Sequence, residues 1–86
     1  MTKVVFRKFK QDGDIIALFS EEIWSRQGYT IASYMHVGQH SGADYDHVVR
    51  ITTPATESEY ANLLNELKSV GYNDLRVMCK CRPNWK

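Results

Sequence analysis

The chain has 86 residues, a net charge of +1, and apolar and charged fractions of 43% and 24%. This length predicts a single domain, residues 1–86, and the composition excludes a disordered chain. The near-zero net charge excludes a strong general bias toward nucleic acid. No apolar stretch approaches the roughly 18 residues of a membrane span, and the basic, alternating N-terminus differs from a signal peptide. We therefore expect a cytoplasmic protein with no membrane partner.

The first two predicted elements form a hairpin. Residues 4–9 alternate bulky and basic side chains and are rich in β-formers, which predicts a strand. Residues 11–14, Q-D-G-D, predict a turn in which Gly13 takes positive φ. Residues 15–19 are apolar on both faces, which is typical of a strand covered on both sides. The two strands are expected to pair antiparallel.

The middle of the chain is interpreted as two more strands joined by a long loop. Trp24 precedes them, and we expect it to pack down onto the core. Residues 30–37 alternate, which places Tyr34 and His36 on the face opposite Met35. Residues 38–46 contain two glycines and several polar side chains, which indicates a loop. Residues 47–52 alternate again and predict the fourth strand.

The segment from 56 to 70 carries the strongest local signal, that of an amphipathic helix. Thr56 and Glu59 have the spacing of a capping box. Gly71 fits the left-handed position after the helix, and Tyr72 then returns onto Leu67 as in a Schellman motif. The apolar face repeats at helical spacing and comprises Tyr60, Leu63, Leu64, Leu67 and Val70. Residues 75–79 predict a last strand.

The resulting fold class is α+β, a mixed and mainly antiparallel five-stranded sheet in the order β-β-β-β-α-β with one amphipathic helix on one face. The connection through the helix predicts a crossover between parallel strands. We expect the last strand to lie inside the sheet or beside the first. One helix covers one face only, so the other face is expected to carry Tyr34 and His36 toward a partner or a cover segment.

A non-enzymatic binding module is the function that this arrangement favours, acting through the uncovered face and the loop. Its partner would be another protein or a second copy of the chain, and no cofactor is expected. The candidate binding residues are polar or aromatic side chains in or near the loop. They are Trp24, Tyr34, His36, Gln39, His40, Asp44 and Tyr45.

Nucleic-acid binding is a second reading, because the two ends of the chain are basic. Eight of the 11 Lys and Arg residues lie in the first ten or last eleven positions, and all ten acidic residues lie between them. Basic side chains interleaved with aromatic ones are typical of single-strand binders, although edge strands also use lysine to prevent pairing. The candidates are Arg7, Lys8, Lys10, Arg76, Lys80 and Arg82.

A small hydrolase or metal-dependent enzyme is the alternative from another class, centred on His36, His40 and Asp44. Ser33 or Ser41 with these groups would supply the residue types of a nucleophile and a base. His36, His40 and His47 have the ligand chemistry for a metal, but strand alternation places His36 and His47 on opposite faces. Cys79 and Cys81 form a C-K-C pair that we interpret as free thiols.

Three segments together carry a resemblance: V-F-R-K-F-K with G-D-I-I-A-L-F, S-Y-M-H-V-G-Q-H-S-G-A-D-Y, and the stretch P-A-T-E-S-E-Y through N-D-L-R-V. Along nearly its whole length the chain is similar to small proteins of unassigned function from bacteriophages and mobile elements of gut bacteria. The resemblance implies an accessory role in a bacterial host, such as inhibition of a host defence nuclease. It assigns no catalytic residue.

Overall fold

The computed structural model describes residues 2–35, 39–81 and 83, with the backbone alone described for Gln39 and His40. In these residues the elements run in the order β1 (Thr2–Phe9), β2 (Ile15–Ser25), β3 (Thr30–Met35), β4 (Gln39–Ala43), α1 (Tyr45–Arg50), β5 (Thr52–Pro54), α2 (Glu57–Ser69) and β6 (Leu75–Met78). The predicted α+β class with a mainly antiparallel sheet is confirmed. The structure adds a second helix and a sixth strand.

The hairpin of β1 and β2 forms as predicted. Its antiparallel register runs from Val5 opposite Leu18 to Lys8 opposite Ile15. Gly13 has φ +79°, which only a residue without a Cβ adopts readily. The Asp12 carboxylate accepts a hydrogen bond from the Asp14 N–H at 3.0 Å, so the turn closes on its own polar groups.

The sheet has the strand order β4-β3-β2-β1, and β5 and β6 share the remaining side of β1. The N-terminal half of β1 pairs in parallel with β6, and its C-terminal half pairs antiparallel with β5. The prediction of a last strand beside the first is therefore confirmed. The prediction of parallel strands on either side of the long helix is wrong, because β5 and β6 both align on β1 and run in opposite directions.

Helix α2 begins and ends where its sequence signals lie. The Thr56 N–H donates to the Glu59 side chain at 2.9 Å, which satisfies one of the first N–H groups of the helix. At the other end Gly71 has φ +119°, and the Tyr72 N–H donates to the Leu67 carbonyl at 3.1 Å. This is the Schellman arrangement that the sequence predicts.

One face of the sheet packs against α2. Leu63 and Leu67 are buried there among side chains from β1, β2 and β3. The Tyr60 ring stacks on Phe6, with centroids 4.4 Å apart. Val70, expected on the same apolar face, is instead 53% exposed, because it caps the helix and turns away from the sheet.

The opposite face is covered by α1, which is the main correction to the predicted fold. Residues 47–52 are not a strand: the chain forms a helix at Tyr45–Arg50 and pairs only briefly at Thr52–Pro54. Tyr45 and Val48 are buried against Ile31 and other side chains of this face. The Asp44 carboxylate accepts from the His47 N–H at 3.3 Å and caps the helix start. In the part of the chain that the structure describes, α1 thus covers this face around Ile31, whereas the sequence predicted that one face of the sheet would be open.

Candidate functional site

The β2–β3 hairpin extends past the core and carries two exposed aromatic side chains. The register of β2 shifts between Phe19 and Ile23, so that three extra residues lie on the β2 side of the pair. Such a bulge bends the strand and redirects the side chains that follow it. Trp24 lies in a second register shift, between Ile23 and Ser25. Trp24 and Tyr29 are 54% and 61% exposed. Tyr29 has φ +51°, a conformation that is rare for residues with a Cβ.

Trp24 does not pack onto the core as expected but lies over Gly42 of β4. A Cβ built on Gly42 would be 2.5 Å from Cδ1 of the Trp24 ring, so only glycine at this position leaves the ring in place. Gly42 pairs with Ala32, which packs on the α2 side of the sheet. Trp24 therefore crosses β3 on that side and reaches the outermost strand. An aromatic ring over an edge glycine is a known way to stabilise a glycine in a strand.

Strand β4 is the outermost strand on this side of the described sheet, and we call its unpaired side the open edge (Gln39–Ala43). On its inner side, β4 pairs along its whole length with β3, and the Ser33 hydroxyl donates to the Ser41 carbonyl at 2.9 Å. The strand contains no lysine, arginine, acidic residue or proline. An edge without such residues presents backbone N–H and C=O groups that a further strand can pair with.

The structure places three of the predicted binding residues in structural roles. Tyr34 is 1% exposed beneath α2, and its hydroxyl donates to the Glu66 carboxylate at 2.6 Å. It faces the long helix, contrary to the expectation that it points away. Tyr45 is 6% exposed in the core under α1. Asp44 is exposed, but its carboxylate caps α1.

Of the remaining binding candidates, Trp24 lies over β4, and two more lie within it. His36 falls outside the described residues. Gln39 and His40 lie in β4 itself, with their side chains outside the description. The predicted loop 38–46 is thus mostly strand: its described part forms β4 and the start of α1. Together with Trp24, these positions bring part of the predicted site to the open edge.

The basic ends do come together in β1 and β6, where Lys3 lies opposite Arg76. However, several of their charges have partners within the chain. Arg7 is 9% exposed and donates to Thr52 and to the Val49 carbonyl.

Lys8 and Lys10 are also engaged. Lys8 donates from Nζ to the Glu59 carboxylate at 2.6 Å, and this bond, followed by that from Thr56, lowers the pKa of Glu59 to about 2. Lys10 donates to the Arg50 carbonyl at 3.3 Å. Arg76 and Lys80 are exposed, and Arg82 lies outside the described residues. Three of the six nucleic-acid candidates thus have hydrogen-bond partners within the chain, although the bond of exposed Lys10 is long.

The enzyme candidates are likewise only partly brought together. Ser33 is 1% exposed, and its hydroxyl lies 3.2 Å from that of Ser41. Asp44, the proposed acid of this set, is engaged with α1 as described above. His47 is exposed on α1, away from the strand expected for it. Within the described ranges, no three His, Cys, Asp or Glu side chains are grouped so that they could hold a metal ion.

The two cysteines follow β6 and are both free thiols. Cys81 packs against the α1-side core, whereas Cys79 is exposed and borders a notch of about 290 Å³ between β5 and β6. A second recess, of about 210 Å³, lies at the C-terminal end of β4. It is lined by Tyr29, Asp44, Tyr45, Asp46 and Pro83. Among the described residues that line them, neither recess has a nucleophile paired with a base.

Comparison with known proteins gives no identification: no protein family, curated protein or solved structure matches the chain. Of the two helices described, neither is long and apolar enough to cross a membrane. The candidate site is thus defined by its geometry alone, as an open strand edge with an exposed tryptophan beside it.

Sequence reasoning did not assign two residues of this site, Ser41 and Gly42, to binding, although it named Ser41 as a candidate nucleophile. Both fall in the segment 38–46, where glycines and polar side chains indicate a loop rather than a strand. One signal could have indicated them: the sequence contains an isolated glycine, Gly42, and a tryptophan, Trp24, with no clear core position. Glycines in edge strands are often covered by aromatic rings.

Proposed function

We propose that the chain is a non-enzymatic protein-binding module, and that its contact surface is the open edge with Trp24 beside it. The observation that carries the proposal is the coincidence of an unprotected edge strand, β4, and a half-exposed tryptophan of β2 whose ring lies over that strand. Strand addition at such an edge supplies main-chain hydrogen bonds, and a neighbouring aromatic ring supplies apolar area.

The coverage of both sheet faces supports the edge as the site. Because α2 packs on one face and α1 on the other, the described residues leave the sheet edges and the exposed hairpin more accessible than the two sheet faces. Large exposed aromatic residues are enriched at the energetic centres of protein interfaces. A binding role therefore fits Trp24 better than a role in the core.

The resemblance to proteins of bacteriophages and mobile elements suggests where the partner is found. In that setting the chain acts in the cytoplasm of a bacterial host, and the partner is a host protein, such as a defence nuclease, or a second copy of the chain. Both use the same edge in this proposal. The enzyme and nucleic-acid readings are not supported by a specific contact, because Ser33, Asp44 and Arg7 have structural partners.

A charge placed on the open edge tests the proposal. Ser41 is exposed, and Ser41→Lys adds the side chain that natural edge strands use to prevent pairing. Asn62→Lys adds the same charge on the exposed side of α2 and is the matched control. Tagged chain is mixed with an untagged copy and with lysate of a gut bacterium, and the retained proteins are quantified by mass spectrometry.

The expected result is that the wild-type chain and Asn62→Lys retain the same proteins and that Ser41→Lys loses them. Retention of an unchanged set by Ser41→Lys would refute the edge as the contact surface. Retention of nothing above background by the wild-type chain would refute the binding function itself.

A further inference from the structure

We infer that the strand which pairs with the open edge belongs to a second copy of the chain, so that two sheets join antiparallel across a two-fold axis at Ser41. This inference rests on the proposed binding function and names its partner. It follows from three features: the difference between the two sides of the sheet, the composition of β4, and the position of Trp24.

The two sides of the sheet are protected differently. On the side formed by β5 and β6, the strands have three and four residues, with Pro54 in one and Arg76 in the other. Short strands, proline and basic side chains are the devices by which soluble proteins prevent edge pairing. The open edge has five residues and contains no lysine, arginine or proline. One side is thus closed to further strands and the other is not.

The composition of β4 suits pairing with itself. In a two-fold interface each side chain lies near its own copy, so a charged residue near the axis would meet a like charge. An antiparallel pair centred on Ser41 places Gln39 opposite Ala43 and residue 40 opposite Gly42. This register uses the full length of the strand. It places no Lys, Arg, Asp or Glu side chain opposite its own copy.

The same register brings the two exposed tryptophans together. Gly42 of one copy and Gly42 of the other become diagonal neighbours, which lie about 7–8 Å apart across paired strands. Each Gly42 has a Trp24 ring lying over it on the α2 side of the sheet. Because each ring lies over a glycine at this separation, the two indole rings are expected to contact one another and to bury part of the surface of Trp24, which is 54% exposed in one copy. A single two-fold operation therefore pairs the backbone N–H and C=O groups of the open edge and brings the two exposed rings together.

Opposite charges at the axis provide a specific test. The variants Ser41→Lys and Ser41→Glu each place like charges directly opposite one another in a self-pair, and each is expected to weaken dimerisation by roughly tenfold or more. Mixed together, they place lysine opposite glutamate and are expected to form a heterodimer. Asn62→Lys is the control for added charge. Mass is measured by light scattering on the purified chain across a range of concentrations.

The wild-type chain and Asn62→Lys are expected at twice the chain mass of 10.0 kDa, with each Ser41 variant alone near the single mass. In a Trp85→Phe background, Trp24 is the remaining tryptophan and reports burial directly. Its emission is expected to shift to longer wavelength when the wild-type dimer is diluted. The same shift is expected for Ser41→Lys alone and is expected to reverse when Ser41→Glu is added.

A wild-type chain that stays monomeric at all concentrations overturns this inference, as does a dimer that neither Ser41 variant weakens. Failure of the mixed variants to associate also overturns it, because the axis then does not lie at Ser41. These failures differ from failure of the proposed function. A monomer that retains another protein, and loses it in Ser41→Lys, leaves the edge-binding function standing with a different partner.

Discussion

Arg7 gives the sharpest test of how the two ends of the chain are used. The substitution Arg7→Met keeps an unbranched side chain of similar length but removes the guanidinium. That group donates to Thr52 Oγ1 at 2.9 Å, to the Thr52 carbonyl at 2.9 Å and to the Val49 carbonyl at 3.1 Å. It thereby ties β1 to the end of α1 and the start of β5.

The size of the effect follows from the groups that lose a donor. The Thr52 hydroxyl still donates to the Val48 carbonyl, so two carbonyls are the main loss. Each buried acceptor left without a partner costs about 1–3 kcal/mol, and water reaching the 9% exposed Arg7 position recovers part of this. We expect Arg7→Met to lower the free energy of unfolding by about 3 kcal/mol. In a domain of this size, that corresponds to a drop in Tm of roughly 12–24 °C.

Urea denaturation followed by circular dichroism measures the loss, and Lys10→Met is the matched control. Lys10 is exposed and donates one bond of 3.3 Å, so its substitution removes the same charge at a cost below about 0.5 kcal/mol. Equal stability of the two variants would show that Arg7 is not a structural arginine. That result would return it to the candidates for nucleic-acid binding.

Two further predictions concern α2. The pKa of Glu59 is lowered from 4.5 to about 2, so its contribution to stability is complete above about pH 4.5 and is lost as the pH falls toward 2. The urea midpoint of the wild-type chain should therefore be lower at about pH 3 than at about pH 6, and Glu59→Gln should reduce this difference. An unchanged difference in Glu59→Gln would show that other carboxylates cause it. Leu67 is fully buried, and Leu67→Ala should lower the free energy of unfolding by about 2–4 kcal/mol in urea titration, with a smaller effect for the half-buried Leu64→Ala. Equal losses at the two leucines would contradict the packing described for this helix.

The elements that sequence reasoning predicted well are those whose signals are local. Helix α2 has its capping box, its apolar repeat and its terminal glycine within a single stretch of chain. The first hairpin has alternation on both sides of a turn that requires positive φ at Gly13. In both, the residues that determine the structure are close in sequence, so no distant contact is needed to interpret them.

Helix α1 was missed because its signals conflict. Val48, Val49 and Ile51 are β-branched, and Val49 and Ile51 alternate with polar residues, which favours a strand. The helical evidence is only the cap at Asp44 and the spacing of Tyr45 and Val48, over a helix of six residues. Short helices have little stability of their own, so burial against the sheet decides the outcome. That burial depends on β2 and β3, which are distant in the chain.

The candidate site shows the same division. The sequence indicated the region around residues 38–46 and singled out Trp24 as an aromatic anchor. It also favoured Tyr34 and Tyr45, which the structure buries. For Tyr34, strand alternation does not show which face a helix covers. Tyr45 was expected in a loop, whereas it begins α1. The relation between Trp24 and Gly42 joins residues 18 positions apart across an intervening strand, and depends on the bulge in β2.

The sequence by itself determined the fold class, the long helix with both of its ends, the first hairpin and the thiol state of the cysteines. These depend on composition, periodicity and neighbouring residues. The tertiary structure alone decided that both faces of the sheet are covered, that Arg7 is buried, and that β4 is left as an open edge with Trp24 over it. Each of these depends on which segments meet in space, because free energy gained by burial is set by the packing partner rather than by the local pattern.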